Sequence, residues 1–104
     1  SLTGIWSGTS HNGNDAMQVT VTFTGICNTG ILCGTFNIIT LPCSGDYVFI
    51  GMTDDNQYEF AEINKLGFCG YGQDFFQLQT DGTLLFKSIG DYGINSGFLN
   101  KVTP

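Results

Sequence analysis

The single histidine, His11, lies between Ser10 and Asn12 with Asp15 close behind, which are the residue types of a nucleophilic triad. A working triad needs nucleophile, base and orienting carboxylate delivered from separate elements, whereas these three share one run of turn formers. His11 therefore reads as a solvated loop histidine. Glu59 and Glu62 are the other pair that could move protons. On a regular strand they fall on opposite faces and would not converge on one bond, so both read as surface carboxylates. Asp54-Asp55-Asn56 and Asn12-Gly13-Asn14-Asp15 carry the oxygen ligands that Ca²⁺ takes. Neither run has EF-hand spacing, and turn-forming Asx residues account for both. No catalytic residue, metal or cofactor is expected.

What remains is recognition chemistry. His11, Asn12, Asp15, Phe68, Tyr71, Asp91, Tyr92 and Asn95 all fall in loop-forming segments. Aromatic faces beside Asn and Asp side chains suit a sugar or a peptide, because stacking and hydrogen bonding then coexist. Whether these residues meet depends on the elements that carry them.

Those elements read as strands. The single tryptophan lies in Thr3-Gly4-Ile5-Trp6-Ser7-Gly8-Thr9, a short β-favouring segment with glycines that let it bend. Met17, Val19, Val21 and Phe23 then alternate with polar residues, and Ser10 to Asp15 joins the two strands as a hairpin turn. A turn at Asn28 to Gly30 leads to a third strand over Thr35 to Thr40, stopped by Leu41-Pro42. Further strands are expected over 45–52, 57–64, 74–79, 83–88 and 97–102. The connections are Thr53 to Asn56, Leu66 to Gly72, Thr80-Asp81-Gly82 and a long loop over Gly90 to Asn95. The fifth strand (Tyr58, Phe60, then Ile63) slips phase once, which places a bulge near Ala61. No sustained helical period is present.

Eight short strands with hairpin-sized links describe an all-β, antiparallel up-and-down meander in one domain, 1–104, closing into a small barrel; a flattened β-sandwich is the alternative. In a meander, alternate loops share a rim. The loops bearing the eight recognition residues would then gather at one end, with Trp6 nearer the other as a closure plug. If Phe76, Leu78, Leu84 and Phe86 point inward, Phe75 and Leu85 point outward on neighbouring strands and offer an assembly patch.

The gaps between successive cysteines, five, nine and 25 residues, do not fit paired zinc ligands. Four cysteines in a short chain of low charge indicate two disulfides and an oxidising compartment. Only Cys27–Cys33 with Cys43–Cys69 keeps each bridge on a single rim of the meander.

Composition narrows the partners. With three Lys, no Arg and a formal charge of −6, the 104-residue chain has no basic patch for phosphates, so nucleic acid and anionic membrane surfaces are not expected partners. No run approaches the length of a membrane span and no signal peptide is evident, so the chain reads as a mature or excised piece.

The opening Leu2-Thr3-Gly4-Ile5-Trp6 resembles the Gly-x-Trp start of lipocalin/avidin-like barrels. That resemblance implies a Trp that caps the barrel against a basic side chain of the last strand, a place only Lys101 could take. A longer resemblance covers nearly the whole chain. It rests on Gly4-Ile5-Trp6-Ser7-Gly8, Gln18 to Phe23, Gly34-Thr35, Cys43-Ser44-Gly45, Tyr58-Glu59-Phe60, Phe68-Cys69 and Asp81-Gly82-Thr83-Leu84. These residues are similar to a small C-terminal β module of exported bacterial proteins, often appended to membrane-anchored serine/threonine kinases. The resemblance implies export, no enzymatic activity, a Cys43–Cys69 pairing, and Cys27 and Cys33 as an addition. Small bacterial metalloprotease-inhibitor barrels share the Gly-x-Trp start and a Ser-Leu N-terminus.

Three roles follow as expectations. The first is an extracellular, cell-surface binding or adhesion module using the aromatic rim for a glycan or protein segment. The second is a self-assembling subunit of a filament or surface layer. The weakest is a protease inhibitor inserting Ser1-Leu2.

Overall fold

The structure, a computed structural model, describes residues 1–102. The chain forms eight antiparallel strands: β1 (Gly4–Asn12), β2 (Asp15–Phe23), β3 (Leu32–Ile38), β4 (Cys43–Met52), β5 (Tyr58–Gly67), β6 (Gly72–Leu78), β7 (Leu84–Gly90) and β8 (Gly93–Val102). Each pairs with the next, and β8 returns to β1 through Ile5↔Val102 to His11↔Ser96, closing the barrel. The meander is as expected, and closure leaves no open sheet edge between strands. Among the described residues there is no helix.

Closure turns the period-2 pattern of every strand into an inside and an outside. The inside of one half is aromatic. Phe23, Tyr47, Phe60 and Phe76 meet there with ring centroids 5.1 to 6.0 Å apart, Phe23 standing edge-on to Phe76. Phe36, Phe49 and Phe86 extend the cluster, and all seven rings are buried. The lumen at this level is packed solid.

At the end carrying the β2–β3 connection, Trp6 closes the barrel. It is buried, donates its indole N–H to the Leu2 carbonyl at 2.9 Å, and lies 5.7 Å from the Lys101 ammonium. Gly4 makes room for that lysine. A Cβ at Gly4 would stand 2.6 Å from Lys101 Cε, and its φ of +129° is one that other residues rarely adopt.

Both disulfides are those the meander selects. Cys27–Cys33 lies at the Trp6 end; Cys43–Cys69 ties the start of β4 to the segment after β5 at the other.

Several details differ from the sequence reading. The register of β5 stays regular through Ala61, which pairs with Val48 and Gln73, so no bulge lies there. The shifts fall between Phe49 and Gly51 of β4, and where Ser44↔Leu66 gives way to Asp46↔Ile63. The second shift leaves extra residues in β5 at Asn64 and Lys65, and Asn64 has φ +52°. Unbroken alternation turns Glu62 inward and Ile63 outward, so Glu62 is not a surface carboxylate. The hairpins are also tighter than expected. Ser10, His11 and Asn12 belong to β1, leaving Gly13-Asn14 as the turn, and only Asp91-Tyr92 separate β7 from β8. His11 is thus a strand residue, and Asn95 lies within β8. Leu78, expected inside, is 39% exposed at the end of β6.

The two bridges differ in how much chain they constrain. They span 26 residues for Cys43–Cys69 and 6 for Cys27–Cys33. Loop entropy gives about 3.5 and about 2.2 kcal/mol respectively, so removing Cys43–Cys69 by paired Ala substitution should cost about 1.3 kcal/mol more than removing Cys27–Cys33, as read by urea denaturation.

Candidate functional site

The loops β1–β2, β3–β4, β5–β6 and β7–β8 surround one mouth of the barrel. The last two carry its aromatic residues, with Phe68 69%, Tyr71 59% and Tyr92 51% exposed. Exposed as they are, they are held in place. Tyr92 Oη donates to the Phe68 carbonyl at 3.1 Å, and Asn12 Nδ2 donates to the Tyr92 carbonyl at 2.8 Å. The Tyr71 amide donates to the Asp91 carboxylate at 2.9 Å, and the Asp91 amide returns a bond to the Tyr71 carbonyl. Three hairpins are thereby stitched into one rim. Lys65 Nζ donates to the Gly70 carbonyl at 2.6 Å and stands 6.0 Å from the Tyr71 ring centroid.

On one side of Tyr92 the rim opens into a groove of about 340 Å³, lined by Asn12, Asp15, Met17, Leu41, Tyr92 and Asn95. Of the eight residues read as a recognition set, Asn12, Asp15, Tyr92 and Asn95 share this groove, and Phe68, Tyr71 and Asp91 lie on the other side of Tyr92. His11 does not join them. It faces the outer wall between Ala16 and Ser96, in an open groove with Thr9, Leu85 and Phe98.

Beneath the mouth is a set of inward polar residues of which the sequence reading names only Asn95 as a site residue and takes Glu62 for a surface carboxylate. Glu62, Asp74, Ser88 and Asn95 point inward from β5, β6, β7 and β8, in the half of the barrel that the aromatic cluster does not fill. Asp74 is 1% exposed, and its Oδ2 accepts a short hydrogen bond from Tyr47 Oη. Glu62 and Ser88 lie beside the same carboxylate. The Glu62 carboxyl is accommodated because β6 has Gly72 opposite it; a Cβ there would approach both carboxyl oxygens to 3.2 Å. Above Glu62 a recess of about 30 Å³ runs up to Tyr71 and Tyr92, room for one or two waters.

Two carboxyls this close and this buried cannot both ionise cheaply. Burial, then the charge of Asp74 and a hydrogen bond to it, push Glu62 up to about 8. Burial raises Asp74 as well, partly offset by hydrogen bonds from Glu62, Tyr47 and Ser88 and by the Lys65 charge. Burial and the Asp74 charge also raise the Tyr47 phenol well above its ordinary value. Pushed up to about 8, the Glu62 carboxyl favours its protonated form beside Asp74, whose Oδ1 is buried and has no hydrogen-bond partner. Ser10 Oγ, inward on β1, is a second buried oxygen without one.

A proton-sharing carboxyl pair is one arrangement used for acid–base catalysis, but such a pair must meet a substrate bond in a cleft. Here access is a recess of water size. Among the described residues no group of three or more His, Cys, Asp or Glu could hold a metal ion.

The outer wall carries the other expected patch. Leu85 pairs with Phe98, which is 58% exposed, whereas Phe75 is half-buried under Lys87, 5.4 Å from its ring. Alternation with buried Leu99 could have marked Phe98 as outward.

Comparison with protein-family models, curated proteins and solved structures finds no match to this chain. Two disulfides indicate an oxidising environment, and among the described residues no helix is long and apolar enough to cross a membrane.

The acid pair fixes a sign for pH dependence. Glu62 is raised in the folded state above its unfolded value, so the native state binds the extra proton. Its stabilisation is complete below the unfolded value and is lost as pH rises through about 8. Stability should decline from about pH 5 to about pH 9, by less than about 1.4 kcal/mol per unit because Glu62 keeps some contact with water. Glu62→Gln should flatten that decline, as measured by denaturant melts across the range.

Proposed function

We propose that the protein is a non-enzymatic extracellular binding module, presenting its aromatic rim to a glycan or a protein segment. The observation that carries this reading is the groove of about 340 Å³ that Asn12, Asp15, Tyr92 and Asn95 line beside exposed Tyr71 and Phe68. Its volume lies within the range of ligand sites, and its lining pairs an aromatic face with amide and carboxylate groups. The lumen supports the same choice of place. Seven buried rings fill one half of the lumen and the recess in the other half is about 30 Å³, so the groove at the rim is the larger space. Because the rim is hydrogen-bonded across three hairpins, little ordering cost attends binding.

Glycan-array and peptide-array binding by the intact chain tests the reading. Tyr92→Ala and Tyr71→Ala should each weaken capture at least about fivefold, since stacking of one aromatic face and its burial are worth on the order of 1–3 kcal/mol. Equal capture by wild type and both variants removes the rim as the binding face.

Self-association is a second reading, favoured by exposed Phe98 beside half-buried Leu85 on the outer wall. It would make the chain a subunit of an extracellular filament or surface layer. Sedimentation at increasing concentration should then show reversible growth that Phe98→Asp abolishes; a monomer at every concentration rules it out.

A further inference from the structure

Above Glu62, the recess at the mouth has a composition that goes beyond a generic aromatic rim. Tyr71 and Tyr92 stand on its walls with apolar Met17, Ile38, Leu41 and Phe86, and the Glu62 carboxyl is its one acidic group, with Asp74 behind it outside the recess. About 30 Å³ is space for a single head group the size of water, too little for a sugar ring or an aromatic side chain. The buried part of the site is anionic once its proton leaves, within a chain of net charge −6. Aromatic faces over a carboxylate are the surroundings that hold an ammonium, by cation–π attraction at the sides and charge-assisted hydrogen bonds at the base. One ammonium already stands at this mouth, Lys65 Nζ, 6.0 Å from the Tyr71 ring. It donates to the Gly70 carbonyl rather than to Glu62, on which its charge acts from a distance.

We propose that this recess takes a primary alkylammonium group, seated between Tyr71 and Tyr92 with the Glu62 carboxylate as its counter-ion. The inference rests on the reading of this rim as the binding face and names the chemical group that enters it. The same chemistry could come from a free amine or from a lysine side chain of a protein partner. On binding, the Glu62 O–H bond breaks, its proton leaves to solvent, and an N–H of the ammonium takes over as donor to the carboxylate. The groups facing Glu62 are Tyr47 from β4, Asp74 from β6 and Lys65 from its own strand. Ser88 of β7, Asn95 of β8 and Met17 of β2 also line the recess, together with Ile38, Leu41, Phe86 and the Cys43–Cys69 bridge, and none of these titrates.

The probes are n-butylammonium chloride for the free amine and an acetylated, amidated lysine peptide for the side chain, with tetramethylammonium chloride as a group that cannot donate. Each is titrated into the intact wild-type chain by calorimetry and by amide NMR between about pH 6 and about pH 8. Butylammonium should bind, with shifts at Gly72, Tyr71 and Tyr92. Its affinity should rise by up to tenfold per pH unit, and the heat should scale with buffer ionisation because one proton is released. Tetramethylammonium should bind at least tenfold more weakly. Glu62→Gln should abolish the proton release, whereas Glu62→Asp should keep it.

Binding of the peptide as well as butylammonium assigns the recess to a lysine side chain; binding of butylammonium alone assigns it to a free amine. No shift with butylammonium at pH 8, or binding that is independent of pH and unchanged in Glu62→Gln, overturns the proposal. Array binding that depends on Tyr92 alongside either of those results leaves the rim reading standing while the ammonium site falls. Loss of both signals removes both.

Discussion

A proton shared between Glu62 and Asp74 is the constraint on which this barrel's organisation turns. Eight strands enclose a lumen only wide enough for side chains, and whatever points inward must be satisfied there. One half of the lumen is filled by aromatic rings, which need only shape. The other half contains two carboxyls, and these are tolerable inside because one keeps its proton and donates it to the other. Tyr47 joins the two halves. Its ring packs on Phe23, Phe36 and Phe60, and its hydroxyl donates to Asp74.

From that division the rest follows. The aromatic core fills one half of the lumen and the recess in the other half is about 30 Å³, so surface chemistry concentrates at the mouth above the acid pair. There the Cys43–Cys69 bridge and the bonds among Asn12, Phe68, Tyr71, Asp91 and Tyr92 hold the loops in one arrangement. The opposite end is closed by Trp6, with Lys101 against its ring. One end of the barrel is sealed; the other is shaped.

Much of the fold was legible because the strands of a meander announce themselves locally. Alternation in Met17 to Phe23, the Asp81-Gly82 turn and Pro42 are short-range signals, and the disulfide pairing followed from the topology they imply. Glu59 and Glu62 read as surface carboxylates because they fall on opposite faces of a strand, and the step from Phe60 to Ile63 reads as a bulge near Ala61; the strand instead keeps its alternation and turns Glu62 inward. What makes Glu62 acceptable is Asp74 on β6, Tyr47 on β4 and the absent side chain of Gly72, none of them visible as a pattern along the chain. Asn95 reads as part of a long loop because Gly90 and Gly93 flank the two-residue turn Asp91-Tyr92 and look like loop residues, although they end β7 and begin β8. His11 moved to the outer wall for the same kind of one-residue reason, since alternation places it opposite to Ser10.

The central claim is that the Glu62–Asp74 pair lies inside the folded barrel holding one proton. Carbon-detected NMR of the side-chain carboxyls, followed through a pH titration of the native protein, reads it directly. The Glu62 resonance should titrate near 8, with Asp74 shifting in the same step as its hydrogen-bond donor is lost. A Glu62 carboxyl that titrates near the ordinary value of about 4.3, with Asp74 unaffected, would contradict the account.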